Sequence, residues 1–380
     1  MSDQLISSQT ELDQFCAEAS KAASLALDTE FIRQSTLYPK LGLIQLFDGS
    51  RLALIDPLAD LDWTSLRALL ANPNVVKVIH SCTEDLEALA TKQLLDITPL
   101  FDTQLAAELL GWGSSLGYAK LVHKVTGKEL DKSESRTDWL ARPLSPLQLR
   151  YAAHDVEYLL PVYQQLLTEL EQKNHLELLL AEGRHLIARR HVSWPDAFKH
   201  LEVKNSFLLN PRELAVLREL VVWRQQYAMQ KDMALGLIFK DFHLLDIAKR
   251  RPGSIESMLN IPEIPQREVR RHGKTVLALI EKAKALPAEQ CPHTFYHRDV
   301  FAGQKEEQQK LVDCIKLAAK NADIPAELLA VRKQVNELFN WIWRISDAER
   351  SEVPVPELLR NWRAPLIKPY LPVIAHIQWP

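Results

Sequence analysis

Cysteine is scarce and scattered: Cys16, Cys82, Cys291 and Cys314 are the only four in 380 residues, and no two form a Cys-x-x-Cys pair. A disulfide framework or a cysteine zinc site is therefore not expected, and a reducing cytosol fits. Glycine is also sparse, at 11 residues against 21 prolines, which excludes a collagen-like or Gly-rich filament. No window approaches the ~20 unbroken apolar residues of a membrane span, so no membrane partner is expected. The opening MSDQLISSQT has neither a basic nor an apolar leader region, so no secretory signal is expected and a cytoplasmic location follows.

What is present suits a soluble globular protein. Hydrophobic residues make up 47% and charged residues 25%, enough for more than one buried core, and the length suggests two or three domains. The net charge of −3 is unevenly spread: residues 1–210 carry −8, residues 211–286 carry +5, and the remainder is neutral. An acidic part followed by a basic part suits a cation site joined to a polyanion-binding module. Small domains also differ by several charges routinely, so charge alone does not decide between the two.

The first half alternates strands and helices. SLALDTEF (24–31), LGLIQLF (41–47), RLALIDP (51–57), VVKVIH (75–80) and PLFD (99–102) are short apolar runs with the character of strands. Helices are expected from Asp62 to about Leu70, and from a Thr83 cap to about Leu95, with Glu84 and Asp85 in the first turn. Another is expected from a Ser145 cap to about residue 173. Residues 191–210 lose periodicity and read as a linker. Helices resume over 211–286, broken at Arg251-Pro252-Gly253 and Ile261-Pro262, and over 303–375, broken at Pro325 and Pro354 to Pro356. The expected architecture is an α/β domain followed by two small all-helical domains.

Four acidic residues stand out by their settings. Asp28 and Glu30 end an apolar strand, and period-two alternation puts both on one face. Asp85 opens a helix after a second strand. Asp155 lies one turn beyond Tyr151 on a later helix. Taken singly, each is more often a solvated turn, a dipole-complementing acid or a surface pair. Brought together, four carboxylates repel one another unless cations neutralise them. Two divalent ions match the charge, and an all-oxygen donor set favours Mg²⁺ or Mn²⁺ over Zn²⁺. Such a pair supports in-line phosphodiester hydrolysis. Tyr151, protonated at neutral pH, suits orienting a water better than acting as a base.

Asp28-Thr29-Glu30, then Asp85, then Tyr151-x-x-x-Asp155 resembles the three-motif signature of the DEDD 3′–5′ exonucleases, which have a ribonuclease H-like fold. The tyrosine marks the tyrosine branch; where the histidine branch carries its histidine, this chain has Arg150, and His154 reads as a bystander. F-D-T-Q-L-A-A (101–107), S-R-T-D-W-L-A-R-P-L-S (135–145) and Y-A-A-H-D-V (151–156) narrow the likeness to the ribonuclease D family. From Pro211 to about Leu286, L-x-x-L-V-V-W-R-x-x-x-A, L-L-D-I-A-K-R-R-P and V-x-R-H-G-K-T-V resemble an HRDC domain, and L-L-R-N-W-R suggests a second one.

The resemblance implies an exonuclease domain over 1–190, a linker over 191–210, an HRDC domain over 211–290 and an HRDC-like domain over 295–380. It implies release of nucleoside 5′-monophosphates from RNA 3′ ends, chiefly in trimming tRNA precursors. By the same resemblance Asp28 bridges both metals, Glu30 and Asp155 complete the site for the nucleophilic water, Asp85 supports the second metal and Tyr151 aligns the water. A DNA exonuclease with the same site, or an RNA-binding scaffold that has lost activity, are the alternatives.

Other features carry less. Gly273-Lys274-Thr275 matches the end of a phosphate-binding loop, but Glu268 stands where its first glycine belongs, so no nucleotide cofactor is expected. Cys291, His293 and His297 lack a second cysteine and read as linker. Lys249, Arg250, Arg251, Arg270, Arg271 and Lys274 are candidates for sequence-independent phosphate contacts. Trp223, Trp341 and Trp343 read as core.

Overall fold

The computed structural model describes residues 5–130, 134, 137–294, 304–373 and 377–380. The strands are Leu5–Ile6 (β1), Ser24–Ile32 (β2), Lys40–Phe47 (β3), Leu52–Ile55 (β4), Val76–Ile79 (β5) and Leu100–Asp102 (β6). They form one mixed sheet in the order β1-β4-β3-β2-β5-β6. β3 runs antiparallel to both neighbours, and the other pairings are parallel.

Helices cover both faces, and β2 divides its side chains between them. Leu25 and Leu27 join a core with helices Gln9–Ala19 (α1), Thr64–Ala71 (α2) and Thr83–Ala90 (α3). Ala26 faces the opposite core, built with Thr103–Leu109 (α4), Tyr118–Thr126 (α5), Pro146–Glu157 (α6), Leu159–Gln172 (α7) and Leu176–Ala188 (α8). Asp28 and Glu30 continue the Ala26 row to the end of the strand. α8 lies close against β6 because residue 183 is glycine; a Cβ there would stand 2.6 Å from the Leu100 carbonyl oxygen.

Three local expectations are corrected. α3 ends at Ala90, and its N-cap is Cys82 with no side-chain cap, so Thr83 does not cap it. The buried Asp102 carboxylate instead accepts from the Ser81 and Cys82 amides at 3.0 and 2.8 Å and ties down the turn. The helix expected to continue to 173 is two, meeting at Tyr158. Pro161 has no N–H to donate to the Glu157 carbonyl, which breaks the ladder there. The stretch read as a linker folds into 3₁₀ turns over Asp196–Glu202 and Ser206–Leu208 and buries Phe198, Leu201, Val203 and Leu209. Its weak periodicity reflects that tighter geometry.

The described residues beyond 210 contain no strand. Helices Pro211–Lys231 (α9), Leu235–Ile238 (α10), Asp241–Arg250 (α11), Ile255–Leu259 (α12) and Gln266–Lys284 (α13) enclose their own core. At the end of α9, Asp232 accepts from the Leu37 and Tyr38 amides, both at 3.1 Å, and so holds the β2–β3 loop. Helices Gln304–Asn321 (α14), Ala326–Leu329 (α15), Arg332–Trp343 (α16) and Arg363–Ile367 (α17) follow. Leu311, Leu338, Trp341 and Ile367 share one core with Leu109, Val122 and Leu166 of the first domain. Buried Arg363 donates to both oxygens of Glu182 on α8, at 2.6 and 3.0 Å. No described helix is long and apolar enough to cross a membrane.

Candidate active site

Asp28 stands opposite Gln45 in the β2–β3 ladder and Glu30 opposite Leu43; the register then slips between Glu30 and Phe31. The bulge bends the strand just after its two acids. α6 supplies Tyr151 and Asp155. It begins at a capping box in which the Gln148 amide donates to Ser145 Oγ (3.1 Å) and the Ser145 amide donates to Gln148 Oε1 (3.0 Å), with Pro146 in the first turn.

Two contacts set where α6 lies. The Arg142 guanidinium donates to both Asp56 oxygens, at 2.6 and 2.8 Å. It also donates to the carbonyls of Gly42 (2.7 Å), Trp139 (3.0 Å) and Ala141 (2.9 Å). Gly42 permits this closeness, since a Cβ there would stand 2.6 Å from the Trp139 carbonyl oxygen. Farther along, the Tyr118 hydroxyl donates to the His154 carbonyl at 3.2 Å, which gives the bystander histidine a backbone role.

One oxygen each from Asp28, Glu30 and Asp155 lies within 4.8 Å of the others. Asp85 stands apart from this trio. It is buried at the first turn of α3, near enough for its charge to act on Asp28, and Oδ1 accepts from the Thr29 hydroxyl at 2.6 Å. The fold thus gathers three of the four expected acids and holds the fourth beside them through Thr29.

Burial and, for Asp28 and Glu30, mutual repulsion raise all four carboxyls above the ordinary carboxylate range. Desolvation, then the charges of Asp85, Asp155 and Glu30, raise the Asp28 carboxyl well above the carboxylate range. Desolvation followed by Asp155 and Asp85 pushes Glu30 up to about 9. Asp155 is pushed up to about 7 and Asp85 to about 6, both chiefly by burial; Tyr151 opposes the first and the Thr29 hydroxyl the second. A hard, all-oxygen donor set whose acids are too crowded to ionise together fits divalent ions such as Mg²⁺ or Mn²⁺.

The shifts carry a sign for stability. Between the unfolded value near 4 and the folded values of about 6 to 9, the folded chain binds more protons than the unfolded one. Its stability therefore falls as pH rises through that window. In EDTA, the melting temperature is expected to drop steadily from pH 5 to pH 9, and Mn²⁺ is expected to recover more of it at pH 8.5 than at pH 5.5. A scanning-fluorimetry series with equal Mn²⁺ gains at both ends would contradict this.

The basic candidates are not all alike. Lys249, Arg250, Arg270, Arg271 and Lys274 are exposed, whereas Arg251 is half-buried and lies 3.9 Å from Glu213. Lys249 and Arg250 occupy the last turn of α11, and the other three lie along α13, away from its C-terminal end. Gly273-Lys274-Thr275 is helix interior, not a phosphate loop. The buried Cys291 thiol donates to the Pro287 carbonyl, while His297 lies outside the described residues, as do Ser135 and Arg136 of the 135–145 stretch. Trp341 and Trp343 are buried in the core, and Trp223 packs on Tyr227, Phe239 and His272. Sequence reasoning gave no role to Thr29, Asp102 and Arg142; Thr29 stands between the two acids, and the other two lie in the 101–107 and 135–145 stretches.

A ribonuclease H-like sheet with an acidic cluster on β2 and α6, followed by HRDC-type helical modules, defines a 3′–5′ exonuclease. Residues 4–171 match the 3′–5′ exonuclease family, 213–280 the HRDC domain, and 303–371 the C-terminal HRDC domain of ribonuclease D. The chain is 40% identical to ribonuclease D of Escherichia coli K12 over 369 residues, 97% of this chain and 96% of that one. It is 40% identical to ribonuclease D of Shewanella sp. ANA-3 over 95% of this chain and 91% of the other. The crystal structure of E. coli RNase D, described as an exoribonuclease involved in structured RNA processing, superposes with a TM-score of 0.86 at 38% identity over 98% of both chains. The chain belongs to the ribonuclease D family and is a 3′–5′ exoribonuclease.

Proposed function

We propose that this exoribonuclease removes nucleoside 5′-monophosphates one at a time from a free 3′-OH end, chiefly trimming tRNA precursors in the cytoplasm, with two Mg²⁺ or Mn²⁺ ions. The convergence of Asp28, Glu30 and Asp155 oxygens beside Tyr151 carries the reading. When bound, a divalent pair supplies an acidified water and charge neutralisation at the leaving oxygen. Asp28, on one of the two central strands, would hold both ions, Glu30 and Asp155 would hold the one that acidifies the water, and Asp85 would support the other. Glu30 would also contact the terminal 3′-OH and so select a free end.

Burial, then the charges of Asp155, Glu30 and Asp28, push the Tyr151 hydroxyl far above its usual value. It stays protonated, cannot act as a base, and aims the attacking water by hydrogen bonding. The water oxygen bonds to phosphorus as the bond to the 3′-oxygen breaks, and that oxygen takes up a proton. Lys249, Arg250, Arg270, Arg271 and Lys274 offer exposed charge to the phosphates of structured RNA.

Incubation with 3′-extended tRNA and Mg²⁺ is expected to release 5′-monophosphates and a shortened tRNA, and EDTA is expected to stop the release. Untouched tails at saturating Mn²⁺ would refute the reading, and a matched DNA oligonucleotide degraded faster than its RNA counterpart would reassign the substrate.

A further inference from the structure

α6 carries a second row of side chains beside the catalytic one. Tyr151 and Asp155 form one row. Arg150, His154 and the C-cap Tyr158 fall four residues apart and form the adjoining row, about 100° round the helix. α5 is fixed to this flank at two points. The Tyr118 hydroxyl donates to the His154 carbonyl at 3.2 Å, and it lies near enough to Asp155 and Asp28 for their charges to act on it. Past the Gly127 cap of α5, Lys128 Nζ stands 5.0 Å from the centre of the Tyr158 ring. Lys120 and Lys124 share one face of α5, a turn apart. Lys124 Nζ stands 4.3 Å from the centre of the Trp112 ring.

The charge of this flank runs against its surroundings. Residues 1–210 carry −8, yet residues 109–128 contain three lysines, one histidine and no acid. In so acidic a domain exposed cations have carboxylates to pair with. Lys120, Lys124, Lys128 and Arg150 are all exposed, and none pairs with a carboxylate among the described residues. Free cations interleaved with aromatic rings, next to an acidic site that must admit a polyanion, match the chemistry of a nucleic-acid strand. We infer that this flank of α5 and α6 is a track for the single-stranded 3′ segment of the RNA, with Lys120, Lys124, Lys128 and Arg150 contacting phosphates upstream of the terminal nucleotide. The inference rests on the reading that puts the reacting end at Asp155, one turn before Tyr158. Such contacts carry no sequence information. Each releases about 0.7 of a counterion from a single strand, so binding through them weakens with salt.

The full-length triple variant Lys120→Gln, Lys124→Gln, Lys128→Gln removes three of the four charges at exposed positions. Binding of a fluorescent ten-nucleotide RNA, followed by anisotropy in EDTA, is expected to weaken at least about tenfold at 0.1 M salt, and the slope of log Kd against log salt to fall by about 2. Adding Arg150→Gln is expected to take about 0.7 more off the slope. The loss is expected to grow as the RNA lengthens from two nucleotides to ten. A matched triple variant on α14, Lys310→Gln, Lys316→Gln, Lys320→Gln, makes the same charge change at other exposed lysines and is expected to bind like wild type. Wild-type affinity and slope in the α5 variant would overturn the inference. So would equal losses in the α5 and α14 variants, which would show a general charge effect. A loss of the same size at two nucleotides would also overturn it, by placing the lysines at the terminal nucleotide. A wild type that binds the RNA yet releases no mononucleotides with Mn²⁺ would instead refute the underlying reading of the site.

Discussion

Asp28→Asn is expected to cut ribonucleotide release by about 10³-fold or more while leaving the fold intact. Asp28 sits nearest the centre of the acid cluster: Asp85, Asp155 and Glu30 all act on its carboxyl. A neutral amide cannot bridge two cations, and losing several kcal/mol of transition-state stabilisation amounts to some three decades in rate. Stability should move the other way. At pH 8 in EDTA the wild type crowds acids that would otherwise ionise, and the amide removes one of them, so the variant should melt at or above the wild-type temperature. Mn²⁺ should then raise its melting point far less. Turnover within tenfold of wild type would eliminate Asp28 as a metal-bridging residue. A collapsed melting temperature in EDTA would show that its protonated carboxyl braces the fold.

Arg142→Ala should act through structure. The side chain makes two bonds to Asp56 and three to backbone carbonyls between β3 and the start of α6. Its removal strands Asp56, whose side chain is 11% exposed, without its counter-ion. Breaking such a pair costs about 3 kcal/mol, or a melting temperature lower by roughly 5–10 °C. Arg142→Lys keeps the charge but not the planar fork and should recover little of it. As α6 loosens, Tyr151 and Asp155 lose their register with β2, and kcat should fall about 10²-fold. A melting temperature within a degree of wild type would show that α6 is held by other means.

What was legible in the sequence was what local patterning encodes. Alternation in Leu25 to Glu30 put two acids on one face, and the Ser145 cap marked the start of the helix carrying Tyr151 and Asp155. The supporting partners join residues far apart in the chain: Asp102 grips the turn at Ser81 and Cys82, and Arg142 reaches Asp56. No periodicity announces such pairs. Thr29 was hidden differently, because alternation turns it to the opposite face, where α3 brings Asp85 to meet it. The strand Leu5–Ile6 is only two residues long, too brief for alternation to register.

The apolar face of α4, α5 and α7 is covered in part by α14, α16 and α17, which are made later. On a ribosome adding about 5–20 residues per second, roughly 10 to 40 seconds separate the emergence of α7 from that of α17. Throughout that interval the nascent nuclease carries an unfinished, sticky flank. Its flank is therefore finished only once those later helices have emerged, and a chain lacking them would expose that apolar face.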